Sequence, residues 1–324
     1  MLTYILFPLG FVVLIKGADL LVEGASSVAS KFGVSQLVIG LTIVSFGTSA
    51  PEFVVNIMAS FDGSAGLAYG NIVGSNIANT LLILGVATLI YPTVVQSMTV
   101  YREIPMCLLA SLVLSLMVND VLINGDAKAI LSRIDGLLLL AFFSIFLFYV
   151  YNMAKKGRET ANEGGEESLE DMSSLKAVIY ILIGSAGLMF GGEWIVDGAV
   201  EIARLFDLSE TLIGLTIVAI GTSLPELAAS AMAAYKKNND IAIGNVVGSN
   251  IFNIFWVLGA SSTIRPLLIE DTSPLNLGFM IGSALFLFLF LFVGKRHVLE
   301  RWQGGVFVTA YAAYIAILVV GHQG

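Results

Sequence analysis

The sequence predicts an all-α integral membrane protein of about ten transmembrane helices, arranged as two five-helix repeats of inverted topology. Three observations lead there. The chain is 57% hydrophobic and 12% charged, and its mean hydropathy of +0.89 belongs to a protein solvated by lipid. About ten apolar runs are long enough to cross the roughly 30 Å of a bilayer core. Finally, the chain repeats itself at a constant offset.

The runs cover residues 3–30, 36–61, 66–91, 103–119, 133–153, 175–204, 210–235, 240–264, 275–294 and 302–321. A transmembrane barrel would need alternating strands of about ten residues, and none of these runs alternates. The first run is too long for a signal peptide and lacks a basic leader and a small-residue cleavage site, so it is read as a helix.

Residues 40–59, GLTIVSFGTSAPEFVVNIMA, align with residues 214–233, GLTIVAIGTSLPELAASAMA. The same offset of 174 lays GNIVGSNIANTLLILG (70–85) over GNVVGSNIFNIFWVLG (244–259), and pairs Asp19 with Glu193 and Glu23 with Asp197. The chain therefore divides into a first repeat (1–153), a hydrophilic acidic linker (154–174) and a second repeat (175–324). An odd number of crossings per repeat turns the second copy upside down, an architecture that places substrate sites near the midplane. The acidic run Glu163, Glu166, Glu167, Glu170 and Asp171 reads first as a solvated tether.

In the ten-helix arrangement Lys31, Arg102, Lys155, Lys156, Arg158, Lys176, Lys236, Lys237, Lys295, Arg296 and Arg301 share one face. The opposite face has Lys128, Arg133, Arg204 and Arg265. The positive-inside rule then puts the linker in the cytoplasm and both termini outside, in a multi-pass cell membrane protein whose surroundings are the lipid bilayer.

Composition also excludes. With 24 acidic against 16 basic residues and no basic stripe, no nucleic-acid partner is indicated, and no protein partner is implied. One cysteine (Cys107) and two histidines (His297, His322) provide neither a disulfide framework nor a Cys/His metal cluster, and no cofactor is expected. Both histidines lie late in the chain, away from the motif serines, so no catalytic residues and no enzyme activity are expected.

The motif GTSxPE sits in the middle of an apolar run in each half, with no Lys or Arg in the same run to pair with Glu52 or Glu226. A carboxylate at bilayer depth must be protonated, paired, hydrated or bound to a cation, which makes a functional site the default reading. A neutral carboxyl serving as interhelical glue is the alternative, and an internal repeat of the whole motif weighs against it. At helical spacing Ser45, Thr48, Ser49 and Glu52 share a face, and Thr222, Ser223 and Glu226 repeat it. Pro51 cannot donate to the carbonyl of Gly47, nor Pro225 to that of Gly221, so both helices should break and free carbonyl oxygens. Packing kinks alone would explain a proline equally well. Carboxylates, hydroxyls and carbonyls together suit Na⁺ or Ca²⁺ as transported ions.

In the second motif Ser75 and Asn79, like Ser249 and Asn253, are four residues apart and face one place. Gly70, Gly74, Gly244 and Gly248 are assigned to close helix packing, while Asn71, Asn76, Asn245 and Asn250 either join helices or bind ions. Two carboxylates in a low-dielectric cavity repel when ionised and empty, and one Ca²⁺ or two Na⁺ cancel both charges.

GTSxPE and GNxxGSNIxN, each present twice, resemble the alpha repeats of the sodium/calcium exchanger family within the cation/calcium antiporter superfamily, and the likeness to its prokaryotic members covers nearly the whole chain. The resemblance implies electrogenic antiport by alternating access, several Na⁺ moving inward to drive one Ca²⁺ outward. It also implies that the first and sixth helices slide across the others. Carried over by residue, it implies a calcium site at Thr48, Glu52, Thr222 and Glu226. Flanking sodium sites fall at Ser45, Ser49, Glu52 and Ser75 and at Ala219, Ser223, Glu226 and Ser249, with backbone carbonyls used at Ser45 and Ala219. Asn79 and Asn253 take the central water or ion site. Some relatives, the potassium-dependent branch among them, have aspartate at the position of Asn253, so the asparagine argues against a potassium requirement. The short linker leaves no place for the cytoplasmic calcium-sensing domains of animal exchangers. A calcium/proton or other cation/proton antiporter is the first alternative, disfavoured by an oxygen shell that a proton does not need; a cation channel is a distant second.

Overall fold

A computed structural model describes residues 2–119, 129–164, 172–206, 219–269 and 274–321. Within them almost everything is helix, as a chain that must satisfy its own backbone in lipid requires. The first half gives α1 (Leu2–Phe32), α2 (Gln36–Thr48), α3 (Ala50–Asp62), α4 (Ala65–Ile90), α5 (Ser97–Met117) and α6 (Arg133–Gly164). The second gives α7 (Ser174–Leu205), a single turn Ala219–Gly221, α8 (Leu224–Tyr235), α9 (Asn239–Ile264), α10 (Pro274–Phe290) and α11 (Arg301–Gly321). Among the described residues seven helices are long and apolar enough to cross a membrane, or eight when the bent pair α2–α3 counts as one span. The predicted helix 210–235 begins outside the described residues, as do Lys128 and the acidic run beyond Gly164.

Two expectations shift. The helix expected to end at 153 continues as α6 to Gly164, into the stretch read as linker. Hydropathy falls there, but Ala, Lys, Arg and Glu are good helix formers, and Lys155 reaches Glu159 one turn on at 4.0 Å. The helix expected over 275–294 stops at Phe290, after which Gly294 and His297 take positive φ (78° and 60°) and turn the chain back to α11.

The helices α1 and α7, which correspond at the offset of 174, pack along their whole length. A Cβ on Gly10 would lie 2.9 Å from the Gly191 carbonyl, one on Gly17 2.8 Å from that of Gly184, and one on Gly24 2.8 Å from that of Ala177. Rising numbers on α1 meet falling numbers on α7, so the pair is antiparallel, its backbones held close by glycines seven residues apart. From the middle of α1 Asp19 pairs with Lys236 at 2.6 Å and more loosely with Lys16 at 3.9 Å, and farther along Asn238 donates to the Ser26 hydroxyl at 3.2 Å.

Two short antiparallel ribbons each take one strand from either half. One pairs β1 (Thr93–Val94) with β4 (Val298–Leu299), with Thr93 opposite Leu299. The other pairs β2 (Ala129–Leu131) with β3 (Leu267–Ile269), with Ala129 opposite Ile269. The main apolar core lies around α4, α5, α9 and α10 and includes Ile72, Ile77, Leu84, Ile104, Leu114 and Phe255, all essentially without exposure. That core carries the polar residues described next.

Candidate functional site

The site starts at two matched breaks. Ser49 ends α2 with φ −83° and ψ 7°, and Ser223 precedes α8 with φ −89° and ψ 5°. In both, proline is one of the first two residues of the helix that follows, and across the first break α2 and α3 are bent by 49°. Pro51 and Pro225 have no N–H, so the carbonyls of Gly47 and Gly221 lose their helical partners there. The helix α7 passes close to both glycines: a Cβ on Gly47 would sit 2.8 Å from the Ser185 hydroxyl, and one on Gly221 would collide with Val196.

The breaks place Glu52 and Glu226 in the first turns of α3 and α8, where backbone N–H groups favour an anionic side chain. Both are fully buried, and their carboxyls are near enough to interact electrostatically. Ser49 from the first half donates to Glu226 Oε1 at 2.8 Å and lies 3.0 Å from Ser249 Oγ. Since Ser49 has one proton and spends it on the carboxylate, Ser249 is the donor in the second contact.

The threonines of the two motifs reach across the halves in matching fashion. Thr48 donates to Asn245 Oδ1 at 3.0 Å, and Thr222 to Asn71 Oδ1 at 3.5 Å. Each asparagine is anchored in turn: Asn245 donates to Ser230 Oγ at 2.9 Å, and Asn71 to Asn56 Oδ1 at 2.7 Å. Asn56 and Ser230 correspond at the offset of 174 and lie one turn beyond the glutamates, a spacing that marked them in the sequence although only the glutamates were singled out. Asn71 and Asn245 thus join helices in this structure.

Behind them, α4 and α9 cross where each contains a π-helical turn, Asn79–Ile83 and Phe252–Leu258. Such turns add a residue to the coil and are frequent at functional sites. The turn that begins at Asn79 packs on α8, and the turn that carries Asn253 packs on α3. Each half therefore packs its asparagine-bearing turn on the helix that carries the other half's glutamate.

Seven buried side-chain oxygens in this region have no hydrogen-bond partner: Glu52 Oε1 and Oε2, Ser75 Oγ, Asn79 Oδ1, Ser223 Oγ, Glu226 Oε2 and Asn253 Oδ1. Buried polar atoms in folded proteins are ordinarily satisfied, so such a concentration of acceptors is costly unless something electropositive is held by them. Carboxylate, amide and hydroxyl oxygens without nitrogen or sulfur suit a hard cation. Ser45 stands apart, because its carbonyl already accepts from Ser49 N–H at 2.9 Å, while its hydroxyl donates to Thr42 O at 3.2 Å. Ala219 opens the single turn before Gly221.

Two clefts are lined in part by other residues of the two motifs. One, of about 310 Å³, lies between Pro51, Thr222 and Pro225 on one wall and Gly192, Glu193 and Asp197 of α7 on the other, so two acids of α7 line the same cleft as Thr222. The other, of about 490 Å³, runs along Gly66, Gly70 and Gly74 of α4. The packing role expected of Gly70 and Gly74 is thereby corrected: a Cβ on either would meet nothing within 4 Å. Their counterparts do pack, with a Gly244 Cβ 3.0 Å from Gly40 and a Gly248 Cβ 2.9 Å from Leu41.

Known proteins resemble the chain over nearly its whole length. The family profile described as "Sodium/calcium exchanger protein" matches residues 2–152 and 176–320. A putative antiporter, CaxA of Alkalimonas amylolytica, is 38% identical over 314 residues, covering 95% of this chain and 96% of that one. The sodium/calcium exchanger MaX1 of Methanosarcina acetivorans is 31% identical over 344 residues, covering 97% and 98%. A solved structure of the sodium-calcium exchanger NCX_Mj, soaked with Na⁺ and Sr²⁺, superposes with a TM-score of 0.81 at 33% identity over 97% of this chain and 98% of that chain.

Proposed function

The chain belongs to the sodium/calcium exchanger family, a family of membrane antiporters, and on that premise we propose that it exchanges several Na⁺ for one Ca²⁺ per cycle, electrogenically and normally as Ca²⁺ efflux. The cations are held between Glu52 and Glu226 near the bilayer midplane. Thr48 and Thr222 complete the calcium site, Ser49, Ser75, Ser223 and Ser249 with the carbonyls of Ser45 and Ala219 flank it, and Asn79 and Asn253 close its centre. The observation that carries this reading is the set of seven buried oxygens without partners, every one on a residue of the two motifs.

Charge explains why such a site exchanges. Two adjacent buried carboxylates repel when both are ionised, so the site is poorly stable without cations. One Ca²⁺ or two Na⁺ neutralise it, and a further Na⁺ on hydroxyl and carbonyl oxygens leaves a net positive charge that makes the cycle sensitive to voltage. Calcium and sodium compete for the same two acids, which couples their movements without a separate gate for each.

The architecture proposed is ten spans in two inverted repeats, with the linker cytoplasmic, both termini outside and the chain in the cell membrane. The antiparallel packing of α1 on α7 and the reciprocal bonds of Thr48 and Thr222 support the inversion.

The test is ⁴⁵Ca²⁺ uptake into proteoliposomes loaded with Na⁺ at equal pH on both sides. Uptake that requires outward-directed Na⁺ and responds to an imposed potential is expected. Uptake driven by a pH gradient alone and indifferent to Na⁺ would overturn the reading.

A further inference from the structure

Four asparagines where α4 crosses α9 form a belt whose amide orientations are fixed by chemistry. Thr80 donates its only hydroxyl proton to the Asn76 carbonyl at 3.1 Å, so its oxygen is left as an acceptor. Asn250 Nδ2 fills that place at 2.9 Å. The amide of Asn250 is thereby oriented, and its Oδ1 accepts from Asn79 Nδ2 at 3.0 Å. With the nitrogen of Asn79 bound to the belt, its oxygen is left buried and without a partner.

The other half reaches the same result by another route. The position corresponding to Thr80 is Ile254, which offers no hydroxyl. There Asn76 Nδ2 donates to the backbone carbonyl of Asn250 at 3.1 Å, its Oδ1 accepts from Asn253 Nδ2 at 3.1 Å, and Asn253 Oδ1 is the buried atom without a partner. Two different anchors, one a side chain and one backbone, thus leave an oxygen from each half in the same state.

We infer that Asn76, Asn250 and Thr80 are positioning residues that fix the amide polarity of Asn79 and Asn253, presenting oxygens and not N–H groups to the transported cations. This deepens the exchanger reading and rests on it. An amide turned the other way would place two N–H donors toward a cation, replacing attraction with repulsion at no change in shape. Thr80 governs Asn79 alone, because Asn253 is oriented through the backbone of Asn250 and does not need the hydroxyl.

The experiment is a mutant cycle read as half-saturating Ca²⁺ in Na⁺-driven uptake and as the Ca²⁺-induced rise in melting temperature of the purified full chain. Thr80→Val should raise the half-saturating Ca²⁺ about tenfold, and Thr80→Ser should stay within about twofold of the unmodified chain. In an Asn79→Ala background Thr80→Val should add nothing, whereas in Asn253→Ala it should retain its full effect. If Thr80→Val does not fold, Thr80→Cys, whose thiol is a poor acceptor, should shift affinity in the same direction. An equal effect in both asparagine backgrounds, or none in the unmodified chain, overturns the inference while leaving the exchanger intact. An unmodified chain with neither Na⁺-driven uptake nor a Ca²⁺ shift removes the exchanger reading, and the inference with it.

Discussion

Ser49 donates to Glu226 at 2.8 Å, but Ser223, its counterpart at the offset of 174, has no partner for its hydroxyl, and Glu52 has none for either carboxylate oxygen. The flanking serines divide in the same way: Ser249 is bonded to Ser49, and Ser75 is unbonded. The bonded trio and the unbonded trio each draw on both repeats, so corresponding residues of the two motifs stand in different surroundings, an asymmetry between closely similar motifs.

This asymmetry predicts different costs for equivalent substitutions. Ser49→Ala strands Glu226 Oε1 and Ser249 Oγ in a buried place and should destabilise the chain by about 1–3 kcal/mol. Ser223→Ala removes a hydroxyl that bonds to nothing, so it should leave stability within about 0.5 kcal/mol while weakening cation affinity. Denaturation in cation-free detergent solution, followed by titration with Na⁺ and Ca²⁺, separates the two. Equal loss of stability in both variants would contradict the asymmetry.

The glutamates should uncouple stability from transport. Glu52 is fully buried with both oxygens unpartnered beside a second acid, so Glu52→Gln removes an unfavourable charge and should raise the melting temperature of the cation-free protein. The same change halves the charge available to Ca²⁺ and should reduce Na⁺-driven uptake by about 100-fold or more, close to 3 kcal/mol of lost stabilisation. Glu226→Gln should lose transport equally but gain less stability, since Ser49 already supports its carboxylate. A Glu52→Gln protein that transports normally would remove Glu52 from the mechanism.

Pro51→Ala tests whether the break between α2 and α3 serves the site. The substitution restores an N–H able to bond the Gly47 carbonyl, and the 49° bend should relax toward a straight helix. Folding should be preserved, because alanine is at least as good a helix former. Uptake should fall by about tenfold or more, since straightening re-aims Glu52 and Thr48. Unchanged uptake would assign Pro51 to packing.

Much of the candidate site could be read from the chain because it depends on local chemistry. Pro51 and Pro225 break helices wherever they stand, and two buried glutamates without cationic neighbours announce themselves. Features decided by the opposing helix could not be read. Thr80 and Ile254 are one of several differences between the two aligned segments, and only the crossing of α4 and α9 shows what the hydroxyl holds. The extension of α6 to Gly164 was hidden for a different reason: hydropathy reports burial in lipid, while helices in polar sequence persist on propensity and ion pairs one turn apart.

Gly74 and Gly248 give the sharpest case, because the repeat aligns them and their surroundings differ. A Cβ on Gly248 would stand 2.8 Å from the Ser45 hydroxyl and 2.9 Å from the backbone of Leu41, so Gly248→Ala forces α9 away from α2. That displacement should cost about 1–3 kcal/mol. At Gly74 the same methyl enters open space beside the cleft on α4, and Gly74→Ala should be neutral or stabilise by up to about 1 kcal/mol through helix propensity. Melting temperatures of the two variants decide the matter. Equal destabilisation would mean that α4 is as tightly packed as α9 along its glycines, and that the cleft beside Gly70 and Gly74 does not stay open.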